Sequence, residues 1–187
     1  FQLDESTAAF SGFGGPKAMV ESSEGGANML VGIGINTGGY NYRAVGVKWM
    51  ANADSYMNDV KFVGGHGGLW KPKPGVEEPR GRWNRPARIS SPDNPVAASG
   101  MDLAWDNQYW SLWVTNNGGG TFKDIWTAST YATNGFYANN TSTPGRIYAM
   151  SIEHHVRNEV RFNKVSNWKV YCMQTEEESR ESTDCQP

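Results

Sequence analysis

Residues 147–178, IYAMSIEHHVRNEVRFNKVSNWKVYCMQTEEE, decide how the chain is read. Three short runs of β-branched and aromatic residues stand out: 147–152 (IYAMSI), 160–162 (VRF) and 168–171 (WKVY). Between them lie Asn158, Asn163, Ser166 and Asn167. Residues of the first kind suit a pleated surface, and Asn tolerates the left-handed conformations of tight corners. Three strands closed by Asn-rich corners in about thirty residues make either one turn of a β-solenoid or a small meander. The same window carries His154, His155, Cys172 and the acids Glu153, Glu159, Glu176, Glu177 and Glu178.

Upstream, the pattern repeats. Residues 29–35 (MLVGIGI) alternate glycine with apolar residues and lead through Thr37-Gly38-Gly39 into a second strand-like run, 44–50 (AVGVKWM). The Gly32-x-Gly34 pair is no dinucleotide fingerprint, because no amphipathic helix follows to present its N-terminus to a pyrophosphate. A corner at 51–55 leads to 56–63 (YMNDVKFV), followed by a glycine cluster around His66. Residues 69–100 differ: they hold six of the nine prolines together with Arg80, Arg82, Arg85 and Arg88, and read as a long excursion from one domain spanning 1–178. Strand-like runs resume at 110–114, 121–126 and 135–138, the first two separated by Asn116-Asn117 and three glycines. Residues 1–27 read as loop or frayed edge, and 179–187 as an acidic tail.

Laid side by side, NDVKF at 58–62, KDIW at 123–126 and NEVRF at 158–162 share one order: polar, acidic, β-branched, then aromatic. Irregular spacing of a recurring strand–corner unit is what a solenoid with insertions at its corners produces. An antiparallel sandwich would show more Asn-Gly or Asp-Gly hairpin turns than the two found, Asn117-Gly118 and Asn134-Gly135. The expected class is all-β, a right-handed parallel β-helix built from a single chain.

A formal net charge of −2 gives no general attraction to nucleic acid or to an anionic membrane, so neither is an expected partner. No apolar run approaches the length of a membrane span. The chain begins at Phe1 without an initiator Met and reads as mature or processed. Cys172 and Cys185 would close a small loop in an oxidising compartment, with two free thiols as the alternative. Asn139 and Asn140 open overlapping N-x-[ST] sequons, a pointer to a secreted glycoprotein.

Residues 151–160 (SIEHHVRNEV), 165–168 (VSNW) and 174–178 (QTEEE), with 32–67, together resemble the pectate-lyase-type β-helix of large secreted microbial proteins, in particular the family 55 glycoside hydrolases, β-1,3-glucanases built of two tandem β-helices. The resemblance covers roughly half the chain. It implies a β-helix, a β-1,3-glucan-like polysaccharide as substrate and partner, and no cofactor. Members of the family are several times longer, which leaves open that this chain works beside the rest of a larger processed β-helix.

Glycoside hydrolysis needs two carboxyl groups flanking the scissile bond. Glu153 and the run Glu176-Glu177-Glu178 are about one coil apart, so Glu176 or Glu177 is placed to stack beside Glu153; a solvated corner is the plainer reading of that run. His154 and His155 are adjacent and point to opposite faces of a strand. His155 is the candidate for proton transfer or substrate orientation, with a hydrogen-bonded core histidine as its alternative, and His66 joins it only if their coils are adjacent. Trp110 and Trp113 should face opposite ways, leaving at least one exposed; with Tyr109 and Trp126 they are candidate sugar-stacking residues, against packing between coils. Arg82 is a candidate for gripping an anionic group. Three histidines without metal-ligand spacing give no metal site. Hydrolysis is therefore weighed against a non-catalytic glycan-binding or structural solenoid, and against a polysaccharide lyase.

Overall fold

The computed structural model describes residues 1–4, 6–12, 14–39, 41–63, 108–128, 132–155 and 158–176. The candidates His66, Arg82, Glu177 and Cys185, the segments 69–100 and 179–187, and hence the Cys172–Cys185 pairing lie outside them.

Twelve strands run through the described residues: β1 (Lys17–Glu21), β2 (Met29–Ile35), β3 (Ala44–Trp49), β4 (Tyr56–Phe62), β5 (Gln108–Val114), β6 (Gly120–Ala128), β7 (Ala132–Thr141), β8 (Gly145–Ile147), β9 (Met150–Glu153), β10 (Asn158–Val165), β11 (Trp168–Val170) and β12 (Met173–Glu176). They alternate between two sheets. Sheet I has the order β1-β3-β5-β7-β10; sheet II stacks β2, β4 and β6, then β8 with β9, then β11 with β12. Every strand pairing is parallel. The result is a parallel β-solenoid of about 4 turns, with no helix among the described residues.

The register sets the coil length. Leu112, Phe136 and Val160 are successive partners in sheet I, so one coil takes 24 residues (160 − 136). In sheet II, Ile125, Met150 and Met173 are successive partners. The coil is thus shorter than thirty residues, and the 147–178 window exceeds one turn. The repeat NDVKF/KDIW is one rung apart, Val60 opposite Ile125 and Lys61 opposite Trp126. Its third copy is not on that column: Val160 pairs with Phe136 in sheet I, because 35 residues is a coil and a half. Lys17–Glu21, expected as loop, pairs with β3, since Ala18, Met19 and Val20 pack against the buried clusters.

Inward side chains form one core between the sheets: Val47, Leu112, Val114, Phe136 and Ala138 from sheet I, and Ile35, Met57, Val60, Phe62, Phe122, Ile125, Ile147, Met150 and Ile152 from sheet II. Each large buried side chain contributes roughly 1.5–3 kcal/mol of burial. Trp49 satisfies its one polar atom within this core, its Nε1 donating to Gly119 O at 2.9 Å.

Sheet II carries a kink column. Gly32 (φ 66°), Asp59 (φ 51°) and Asp124 (φ 51°) are left-handed at one register position inside three consecutive strands. Asp59 is therefore a mid-strand kink and not a corner, while Asp54 N–H donates to Asn52 Oδ1 at 2.9 Å in an Asx-type corner. On the next two rungs Ala149 and Cys172 fill the break between β8 and β9 and between β11 and β12. A side chain in this conformation is strained and glycine is not. Asp124→Gly is expected to leave stability within about 0.5 kcal/mol and Asp124→Ala to lower it by about 1 kcal/mol, read by chemical denaturation.

Candidate functional site

The acidic site is built at the end of β9 and β12. Glu176 is the register partner of Glu153, so the two carboxylate side chains leave the same face of sheet II on adjacent rungs, with a backbone spacing of about 4.8 Å. The face is outward, because the alternate residues Met150 and Ile152 are in the core. Glu176, placed in a corner by one reading of the sequence, thus lies on a strand. Glu153 Oε1 accepts the Ser151 hydroxyl at 2.6 Å, and Glu153 Oε2 is 3.8 Å from His154 Nε2. Gln174 Nε2 donates to Glu176 Oε2 at 3.5 Å.

Beside the carboxylates runs a shallow groove of about 400 Å³, lined in part by Asp59, Lys61, Asp124, Trp126, Ser151 and Gln174. Lys61, Trp126, Ser151 and Gln174 are four successive partners on one column. Trp126 is half-buried, and it sits one rung over and two residues along from Glu153, a diagonal of roughly 7–8 Å. Aromatic area, a lysine, amide and hydroxyl groups and two carboxylates therefore share one outward face.

The two histidines do part company. His154 (φ 62°) stays near the surface beside Glu153, its N–H donating to Glu176 O at 3.0 Å. His155 turns inward and its side chain is fully buried. Its Nδ1 lies 2.7 Å from Glu159 Oε2, its main-chain N–H donates to Glu159 Oε1 at 3.0 Å, and its Nε2 lies 3.3 Å from Ser111 Oγ. Neither Ser111 nor Glu159 is a site candidate on sequence alone. They share a 24-residue spacing with Gly135, which is the signal that points to them once the coil length is known.

The remaining aromatics lie elsewhere. Ser111 and Leu112 both face inward, so the flanking Trp110 and Trp113 both face outward from sheet I, and their rings meet at 4.6 Å instead of pointing apart. Tyr109 and Trp110 are 2% and 5% exposed and pack with Val45 and Tyr137, which leaves no ring face for a sugar. Burial pushes the Tyr109 phenol up in pKa, the Arg43 guanidinium offsetting part of the shift, and its hydroxyl donates to Gly14 O at 2.9 Å. Trp113 is covered by Lys48 Nζ, 5.4 Å from the ring centroid, and its Nε1 donates to Asn139 Oδ1 at 2.8 Å. All three are across the solenoid from Glu153 and Glu176. Of the two sequons, Asn140 is exposed and Asn139 half-buried. Cys172 is exposed. Among the described residues no three acids, histidines or cysteines converge as a metal site would require.

No family model, no curated protein and no solved structure matches the chain.

Proposed function

We propose that this protein is a secreted glycoside hydrolase acting on a β-1,3-glucan-like polysaccharide, akin to the family 55 enzymes, with Glu153 and Glu176 as its carboxylate pair. The observation that carries the reading is their pairing in register on one outward face. Two carboxyl groups on adjacent rungs fall in the range of separations that glycosidases use. Glu153, which accepts the Ser151 hydroxyl, takes the ionised role of base or nucleophile; Glu176, exposed at the edge of the groove, takes the role of acid. Trp126 supports a sugar ring next to the bond being cut.

The test is release of reducing ends from laminarin by the wild-type protein. A rate equal to that of the heat-denatured protein overturns the reading. A second reading, non-catalytic glycan binding, draws on the same groove: the protein then retains laminarin in a pull-down yet releases no reducing ends. Activity on polyuronate, read as ultraviolet absorbance of an unsaturated product, would indicate a lyase instead. Within the hydrolase reading, Trp126→Ala is expected to raise KM about tenfold, or about 1.4 kcal/mol of binding shared by ground and transition states, with kcat within about twofold. A kcat loss with unchanged KM would place Trp126 outside the binding groove.

A further inference from the structure

We infer that the buried Ser111–His155–Glu159 network is a positioning device for Glu153, pinning the corner after β9 so that Glu153 stays in register with Glu176. The inference rests on the reading of that pair as the working carboxylates.

Ser111, Gly135 and Glu159 occupy the same position on three consecutive rungs of sheet I, because Leu112, Phe136 and Val160 next to them are partners. Two rungs put Ser111 and Glu159 about 9.6 Å apart along the backbone, too far for direct contact. The His155 imidazole closes the gap by lying over Gly135, where an added Cβ would be 2.7 Å from its Cε1. Glycine here is a window, and the ring fills it.

The chemistry of the partners orders the protons. An ionised carboxylate only accepts, so Nδ1 carries the hydrogen toward Glu159, and Nε2 is left to accept the Ser111 hydroxyl hydrogen. Glu159 also accepts the His155 main-chain N–H, so one carboxylate holds ring and backbone together and closes the corner between 155 and 159. That corner begins one residue after Glu153, with His154 in a left-handed conformation that a non-glycine residue adopts only when its surroundings over-determine it. The imidazole plug and the bond from His154 N–H to Glu176 O are those surroundings.

A serine, histidine and acid in this order also form the relay of acyl-transfer enzymes. Burial argues against that use, since Ser111 is 2% exposed and offers no face to a substrate. The side chain acts on structure.

Two measurements test the inference, made on Glu159→Gln and on the milder Ser111→Ala. In long-range ¹H–¹⁵N spectra of the wild type, His155 is expected as the Nδ1–H tautomer; Glu159→Gln should abolish that pattern and shift the amide resonances of Glu153 and Glu176. On laminarin, Glu159→Gln should lower kcat about tenfold with KM within about twofold, and Ser111→Ala should lower kcat about threefold. An Nε2–H tautomer, unmoved Glu153 and Glu176 amides, or a change confined to KM or to thermal stability would overturn it, as would covalent labelling of Ser111 by a fluorophosphonate. If the wild type cuts no laminarin while the spectra behave as stated, the positioning role stands and the hydrolase reading alone falls.

Discussion

Glu153→Gln is expected to slow laminarin hydrolysis about a thousandfold. Gln matches Glu in size, keeps an oxygen that can accept the Ser151 hydroxyl, and leaves the β9–β12 register intact, so the fold is spared. What it removes is the charge that a base or nucleophile needs. Loss of a positioned acid or base typically costs a factor of about 10²–10⁴, and a thousandfold corresponds to about 4 kcal/mol of transition-state stabilisation. Glu176→Gln should behave alike. The double variant should fall little further than either single one, because two groups acting on one bond do not contribute independently. Initial rates of reducing-end release at saturating laminarin measure this, with thermal melts as the control on folding. Equal rates for wild type and Glu153→Gln would remove Glu153 from the chemistry.

Gly135→Ala should be the most damaging single methyl group in the core. The new Cβ would overlap Ile152 Cγ2 and stand 2.7 Å from both His155 Cε1 and Thr127 Oγ1. Ile152 and Thr127 are fully buried, so neither has space to retreat. Overpacking a close-packed site costs about 1–3 kcal/mol, and here displacement of the His155 ring also breaks its bonds to Glu159 and Ser111. A total of about 3 kcal/mol is expected, which for a chain of this size lowers Tm by about 6–12 °C. Gly34→Ala is the control: it lies in β2 with open space at its Cβ and no left-handed φ, and should be within about 0.5 kcal/mol of wild type. A Gly135→Ala melt that overlays the control would mean that the interior is looser than the packing shows.

Periodicity made the solenoid legible before any coordinates. Strand-like runs closed by Asn and Gly corners, without helix signals, describe a parallel stack, and Val60 and Ile125 do stand opposite one another. The pairing of Glu153 with Glu176 was legible too, because their 23-residue separation (176 − 153) is close to one coil. Other features depend on which sheet a run belongs to, and local pattern does not carry that. The sequence NEVRF looks like NDVKF but lies in the opposite sheet. Trp110 and Trp113 look like a strand pair pointing apart, yet two successive inward residues between them turn both rings outward. The Ser111–His155–Glu159 network required the coil length itself. Once 24 residues is recognised, Trp110-Asn134-Asn158, Leu112-Phe136-Val160 and Trp113-Tyr137-Arg161 fall into columns, and Ser111, Gly135 and Glu159 form one more.

Between Val47 and its partner Leu112 the chain runs 65 residues (112 − 47), where a neighbouring coil takes 24. Closing the longer loop costs only about 0.9 kcal/mol more by chain entropy, so the stack accepts a large insertion at that corner with little penalty at equilibrium. Assembly order is where the difference is felt. The rungs carrying β5, β7 and β10 close over short loops and form the natural nucleus. The rungs carrying β1 to β4 are left to dock onto that finished edge afterwards. A change in the insertion should therefore alter how fast the two halves join more than it alters the nucleus, which already contains Glu153, His155 and Glu176.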